Sequence, residues 1–360
     1  MTPRERFHRT MNFEPVDRVP LWEMGAWNET MKRWRAEAPP GVDPEAYFHG
    51  DPREHCGINF AQVPPFERRI LSDDGYVRLL VDDRGVTCRE LSEKTETSMP
   101  HWLDFPVKTR ADWEEMKKRY DPRSPQRYPA DWAARVERWG KRDFPLQIYG
   151  GRDVGFFGPI RGWMGAEGAM YAFYDDPNMM HDMMEFIADF TIETCRRAFR
   201  DLDIDYFVIW EDMAFKTASL ISPAMFRQFM LPRYQKLTAF IRSQGVRTIM
   251  VDSDGHIEKL IPLWLEGGVT CIYPMECAAG MDVLALRKEY GRDLAMTGGL
   301  DKRALARDKD AIERELTAKL PVLLPQGGYI PELDHSFPPD VPWENFRYYA
   351  ERKRELIEKG

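Results

Sequence analysis

The chain has 360 residues, 43% hydrophobic and 31% charged, with a formal net charge of −8. Excess acid argues against nucleic acid as a partner, because that binding rests on Lys and Arg neutralising phosphates. No run of about 18 apolar residues suggests a membrane span, and the first residues lack the apolar centre of a signal peptide.

Five cysteines (Cys56, Cys88, Cys195, Cys271 and Cys277) form no CxxC pair. An odd number at irregular spacing predicts reduced thiols in a cytoplasmic protein, with Cys56, Cys88 and Cys195 chemically inert.

The first 140 residues predict decoration on a larger scaffold: a short strand at "RVPLWEM" (18–24), another at "GYVRLLVDD" (75–83), then a hairpin and loop in "VTCRELSEKTETSMPHWLDFPV". Trp34, Trp102, Trp113, Trp132 and Trp139 make this part aromatic and suit core or lid packing. From residue 145 the pattern becomes regular. "FPLQIYGG" predicts a strand, and "DPNMMHDMMEFIADFTIETCRRAFRDL" a long amphipathic helix with apolar residues three and four apart. The Gly-rich "GGRDVGFFGPIRGWMG" between them lacks the Gly-Lys-Ser/Thr ending of a phosphate loop and is expected to be a mobile lid or docking rim.

Four further strands, "DYFVIWED", "VRTIMVD", "VTCIYPME" and "LAMTGGLD", alternate with helices, the first of which starts at Ser222 as cap with Pro223 in its first turn. "GYIPELDHS" is the last strand and "PWENFRYYAERKRELIEKG" the closing helix. Alternation with short loops and mostly apolar strands predicts parallel strands buried on both faces. No dinucleotide fingerprint follows the first strand. The expected architecture is α/β: a single (β/α)8 TIM barrel over residues 1–360, decorated in 1–140 and regular from 145.

In such a barrel, function sits at the carboxyl ends of the strands. Those ends carry Glu23, Glu211, Asp212, Asp252, Asp254, Glu276, Cys277, Asp301, Asp334 and His335. A ring of carboxylates repels itself, and a divalent cation would resolve that repulsion. Each residue also has a plainer role open to it. Asp254 or Ser253 could cap the helix that starts near His256, Cys277 could be a small buried residue, and Glu211 could pair with an arginine.

The segments "RVPLWEMGAWNETMKRW", "VIWEDMAFKTASLISPAMFRQFMLPRY", "MVDSDGHIEKLIPLWLEGGVTCIYPMECAAGMDVLALRKEYG", "LAMTGGLDKRALA" and "GGYIPELDHSFPPDVPWENFRYY" resemble the uroporphyrinogen decarboxylase superfamily. The resemblance covers nearly the whole chain and implies a (β/α)8 barrel. It also implies one of two chemistries, porphyrinogen decarboxylation or corrinoid-dependent methyl transfer. Where the decarboxylase carries its Arg-Gln-Ala-Gly-Arg motif, this chain reads "PLWEMGAWNE", with no arginine between Arg18 and Arg33. In the methyltransferase branch, zinc is held by His-x-Cys and a distant Cys. Asp252-Ser253-Asp254-Gly255 stands at the first place, and His335 at or beside the second.

The chain is thus similar to the first methyltransferase of O-demethylase systems. That likeness implies methyl transfer from a methoxylated aromatic to the cobalt(I) of a corrinoid carried by a partner protein. It implies Zn2+ nearest Asp252, Glu211 and His335, which would carry catalysis, with Asp254, Glu276 and Cys277 as alternates or supports. Trp22, Trp27, Phe156, Phe157 and Trp163 are the expected aromatic wall. The family also makes a homodimer an expectation. Competing readings are a methylamine, betaine or methylthiol donor, a uroporphyrinogen decarboxylase-like lyase, and a barrel that only binds. A metal-dependent hydrolase is disfavoured, since no His-x-His follows the first strand.

Overall fold

The computed structural model describes residues 1–48, 50–93 and 99–359. Helix α1 (Pro3–Met11), capped by the Thr2 hydroxyl, precedes α2 (Asn28–Glu37) and the short strand β1 (Glu54–His55). A separate antiparallel sheet follows, with β2 (Arg69–Asp73), β3 (Val77–Val81), β4 (Thr87–Leu91) and β5 (His101–Asp104) paired in that order. The tip of the expected hairpin, residues 94–98, lies outside the described residues. Helices α3 (Arg110–Lys117) and α4 (Trp132–Trp139) lead into the regular part.

That part runs β6 (Leu146–Tyr149), α5 (Phe157–Asp175), α6 (Pro177–Asp201), β7 (Tyr206–Trp210) and α7 (Pro223–Met225). A π-helical turn, Phe226–Met230, joins α7 to α8 (Leu231–Ser243), and Ser222 caps α7 by accepting the Met225 N–H at 3.2 Å. There follow β8 (Thr248–Asp252), α9 (Ile261–Glu266), β9 (Cys271–Tyr273), α10 (Val283–Tyr290) and β10 (Ala295–Thr297). Helices α11 (Lys302–Arg307) and α12 (Lys309–Leu323), strand β11 (Tyr329–Ile330) and helix α13 (Trp343–Lys359) complete the chain.

Seven strands form one parallel sheet in the order β1-β6-β7-β8-β9-β10-β11. Extended chain at residues 19–27 fills the gap between its two edges. The Asp51 N–H donates to the Leu21 carbonyl at 3.0 Å on the β1 side, and Ala26 bridges Phe337 in parallel on the β11 side. The strand expected at 18–24 therefore makes no regular ladder, consistent with Pro20 lacking an N–H to donate. The ring so closed is the TIM barrel anticipated from the alternation.

The barrel interior is plugged at the amino ends of the strands. Phe7 and Met11 of α1 pack with Trp22, Tyr206, Val208, Met250, Cys271, Ala295 and Ile330 in one buried cluster. Asp205, just before β7, ties α1 in place: it accepts from Arg4 Nε at 2.7 Å and Arg142 Nη2 at 2.9 Å, and His8 Nε2 lies 2.6 Å away. Burial alone would raise its carboxyl, but His8, Arg142, the Leu146 N–H and Arg4 outweigh that and hold it at about 2. With one end sealed, ligands have only the carboxyl end to enter.

The Gly-rich segment is not a lid. Val154, Phe156, Phe157, Pro159 and Ile160 are fully buried, and α5 starts inside the quoted stretch. Its glycines serve close approach: a Cβ on Gly155 would sit 2.0 Å from the Trp210 carbonyl oxygen, and one on Gly158 would meet the same atom at 2.8 Å. Trp34, Trp113, Trp132 and Trp139 are core residues as anticipated, while Trp102 is 41% exposed on β5. Cys56 and Cys195 are buried, and burial pushes the Cys56 thiol up to about 12. Among the described residues no helix is long and apolar enough to cross a membrane.

Candidate active site

At the open end lies a cavity of about 360 Å3. Its lining follows the two-residue rhythm of strands, in which alternate side chains face the same way. Gln147 and Tyr149 come from β6, Tyr206, Val208 and Trp210 from β7, and Met250 and Asp252 from β8. Met24, Arg53, Asp254, Tyr273, Thr297, Glu332, His335 and Ser336 complete it.

The floor is an ion pair. Arg53 lies over the Trp22 ring at 4.3 Å, donates to the Glu23 carbonyl at 3.2 Å and stands 3.5 Å from Glu332. Burial raises the Glu332 carboxyl against the pull of Arg53. Trp22 therefore packs under the floor and is not a wall of the cavity; its indole N–H donates to the Asp51 carbonyl.

Above the floor the charge is uncompensated. Asp252 accepts from the Tyr273 hydroxyl at 2.9 Å; burial, with Asp254 and Asp212 nearby, pushes its carboxyl up to about 8. Asp254 is pushed up to about 7 by burial and by the charges of Asp212, Glu276 and Asp334, with Lys302 pulling the other way. Its Oδ2 lies 3.8 Å from His335 Nε2. The His335 ring stacks parallel to Trp27, 6.0 Å between centroids, so Trp27 orients the imidazole rather than forming a bare wall. Burial and Lys302 lower the imidazole, which favours its neutral, ligating form.

Asp254 is not a helix cap. Gly255, at φ +87°, turns the chain where a Cβ would meet the Ala214 carbonyl oxygen at 2.6 Å. The Gly255 N–H donates to Glu276 Oε2 at 2.9 Å. Glu276 thus supports the Asp254 turn from the next strand end.

Other rim acids serve the scaffold. Glu211 is fully buried and takes four hydrogen bonds: the N–H groups of Phe156 (2.9 Å), Phe157 (2.7 Å) and Gly158 (3.1 Å), and the Tyr234 hydroxyl (2.5 Å). This corrects the expectation of Glu211 beside a metal, because its lone pairs hold the start of α5. Phe156, Phe157 and Trp163 are likewise core residues behind the wall, with Trp163 donating to the Tyr120 hydroxyl at 2.8 Å.

Asp334, also fully buried, accepts the Cys277 N–H and the Lys302 N–H, both at 3.0 Å. Cys277 Sγ faces the Gly299 carbonyl at 3.4 Å and Lys319 Nζ at 3.7 Å, and burial pushes its thiol up to about 12. It therefore lies away from the cavity lining, which corrects its placement as an alternate ligand. Glu23 binds Tyr349 and Lys353 of α13, Asp301 caps α11 and pairs with Arg303, and Asp212 pairs with Arg161 at 2.6 Å.

The sequence reading missed Arg53, Tyr149, Tyr206, Trp210, Tyr273 and Glu332. Tyr206 and Trp210, spaced four apart with Val208 between them, carried the signal: inward-facing polar-tipped aromatics on one strand face. Arg53 had none, since it lies in the irregular part.

The family profile described as uroporphyrinogen decarboxylase (URO-D) matches residues 160–356. Uroporphyrinogen decarboxylase of Alkalilimnicola ehrlichii is 23% identical over 367 aligned residues, covering 95% of this chain and 91% of that one. The enzyme of the same name from Vibrio vulnificus is 24% identical, with coverage of 98% and 97%. Among solved structures, a methyltransferase from Methanosarcina mazei superposes with a TM-score of 0.62 at 14% identity, covering 99% of both chains, which establishes likeness of fold. With more than half of its length matched by the family profile, this chain belongs to the uroporphyrinogen decarboxylase (URO-D) family.

Proposed function

We propose that this chain is a methyltransferase that moves a methyl group from a methoxylated aromatic to the corrinoid of a partner protein. The observation that carries the proposal is how few cations the cavity offers an anionic substrate. Among the described residues, Arg53 is the one Arg or Lys in the lining and already faces Glu332, while Asp252 and Asp254 stand above it with no Lys or Arg within 4.0 Å. A porphyrinogen bearing eight carboxylates would meet one guanidinium here, already paired with Glu332. A neutral ether needs none.

The donor set, two carboxylates and an imidazole, suits a divalent cation such as Zn2+ as an open site. Asp254 and His335 are a close carboxylate–imidazole pair, and Asp252 lines the same space. Among the described residues no three ligating side chains already converge, so holding a cation would require Asp252 to draw in toward the Asp254–His335 pair, with substrate or water in the fourth position. A cation held by Asp252, Asp254 and His335 would supply Lewis acidity to the ether oxygen, and the partner's corrinoid would supply the nucleophile.

The chain's own residues do the rest. Tyr273 fixes Asp252 through its hydrogen bond, and Trp27 holds the His335 ring by stacking. Trp210 offers a flat wall, and the paired Arg53 and Glu332 give a floor of little net charge. The methyl carbon faces the open end, where the partner docks, and the α1 plug bars water from below. Charge growing on the departing oxygen is thereby met in the transition state more than in the ground state.

Incubation with a reduced corrinoid protein and a methoxylated benzene under anaerobic conditions should release the free phenol, and His335→Ala should slow release about a hundredfold while leaving the circular dichroism spectrum unchanged. Release of carbon dioxide from a porphyrinogen, with no phenol from any ether, would overturn the proposal.

A further inference from the structure

A second cavity, of about 320 Å3, opens between the antiparallel sheet and α5. Trp210 belongs to both linings, so the two spaces adjoin. Their charge is opposite. Arg84, Arg152 and Arg161 enter the second cavity, along with Trp102, Phe105, Met99, Asp82 and Asp212.

The three guanidinium groups are not equivalent. Arg84 is paired with Asp153 at 2.9 Å and Arg161 with Asp212 at 2.6 Å. Asp82 spends its carboxylate on the N–H groups of Arg84 and Val86 at 3.0 and 2.8 Å. Among the described residues, Arg152 has no carboxylate within 4.0 Å and makes no hydrogen bond; its guanidinium rests over the Trp210 ring at 5.6 Å. Arg161 lies over the same ring at 5.1 Å. Burial, Arg84 and Arg161 together lower the Arg152 guanidinium, so the cluster holds a cation that its surroundings repel. An arginine placed among arginines beside exposed aromatic surface is the arrangement that captures a planar anion, because the fork of N–H donors matches a carboxylate two-to-two.

We infer that this second cavity is a recognition site for the carboxylate of an aromatic acid, with Arg152 as the residue that selects it. One unpartnered guanidinium matches one negative charge, a monocarboxylate rather than a phosphate dianion. Trp210 and Phe105 supply flat apolar surface for the ring, and Trp210 is the wall this cavity shares with the one lined by Asp252, Asp254 and His335. As a substrate determinant this rests on the methyl-transfer proposal. As a binding site it does not.

Titration calorimetry with the full chain separates the two. Benzoate and a methoxybenzoate should bind about tenfold more tightly than methoxybenzene or inorganic phosphate, the size expected for a charge-assisted pair. Arg152→Ala should remove that preference, and Arg152→Lys should restore part of it. Because the Arg152 side chain holds no ion pair or hydrogen bond among the described residues, neither change removes a contact the fold depends on. Equal affinity of wild type and Arg152→Ala for benzoate, or binding of phosphate in preference to benzoate, overturns the inference. If benzoate binds through Arg152 but no ether loses its methyl group, the function proposal fails and the site stands. If methoxybenzene and methoxybenzoate are demethylated equally by wild type and by Arg152→Ala, the site fails and the function stands.

Discussion

Glu211 and Asp252 leave neighbouring strands at almost the same height, since Trp210 pairs with Asp252 in the ladder and the Glu211 N–H donates to the Asp252 carbonyl. Both carboxyls are raised by burial. Yet Glu211 turns outward through the wall into four donors, whereas Asp252 turns inward to a cavity with the Tyr273 hydroxyl. The difference teaches that an acid at a barrel rim is not a functional group by position alone. What separates the two is the number of donors the fold aims at it. A saturated carboxylate is part of the framework, and an undersaturated one is available for chemistry.

The largest effect that would sharpen this contrast is on stability. Glu211→Ala strands three buried N–H groups and a hydroxyl, and should cost about 4 kcal/mol in urea unfolding. Asp252→Asn should change stability by no more than about 1 kcal/mol, because its side of the rim faces a cavity. Similar costs for both would break the comparison.

Next in size is the effect on the open site. Asp254→Asn and His335→Ala should each lower bound zinc, measured by elemental analysis, from about one per chain toward none. Each should also reduce demethylation about a hundredfold with the fold intact, a loss of about 2.7 kcal/mol in transition-state stabilisation. Cys277→Ser should leave metal content unchanged, since its sulfur faces Gly299 and Lys319.

How far the chain itself announced this arrangement differs by region. From β6 onward, strands of mostly apolar residues alternate with helices of the right period, and every strand there was legible. Two elements were not. The stretch before α5 looked like a loop because its glycines and Pro159 break the helical pattern, and its burial depends on contact with Trp210, distant in sequence. The first barrel position carries Pro20 and makes almost no ladder, so propensity gave it no regular form. Among site residues, Asp252, Asp254 and His335 were legible as strand-end groups. Which way a rim acid turns was not, because that depends on donors supplied by other segments, as with Glu211 and the α5 amides.

A third carboxylate extends the comparison to the other end of the barrel. Asp205 is saturated like Glu211, but by cations, and its folded value of about 2 lies below the ordinary carboxyl range. A depressed value stabilises the fold fully above the unfolded value near 4 and loses that contribution as pH falls toward 2. The difference in unfolding free energy between wild type and Asp205→Asn should therefore be about 2 kcal/mol at neutral pH and shrink across that window. A difference independent of pH would mean that packing, not charge, holds α1.

Smallest is the effect at Asp301, which caps α11 and pairs with the exposed Arg303. Asparagine caps equally well and exposed pairs contribute little, so Asp301→Asn should cost less than about 1 kcal/mol in the same unfolding assay.

The plug at the sealed end has a consequence for how the molecule is made. Helix α1 leaves the ribosome well before the segments that seat it: Arg4 and His8 wait for Asp205, and the Thr10 carbonyl waits for the Gly328 N–H at 2.7 Å. Synthesis must pass Gly328 before α1 finds its full seat. Until then Phe7 and Met11 lack most of their burial partners, which lie between Tyr206 and Ile330, so the nascent chain presents apolar surface while those strands are made, the interval in which a chaperone would be of most use.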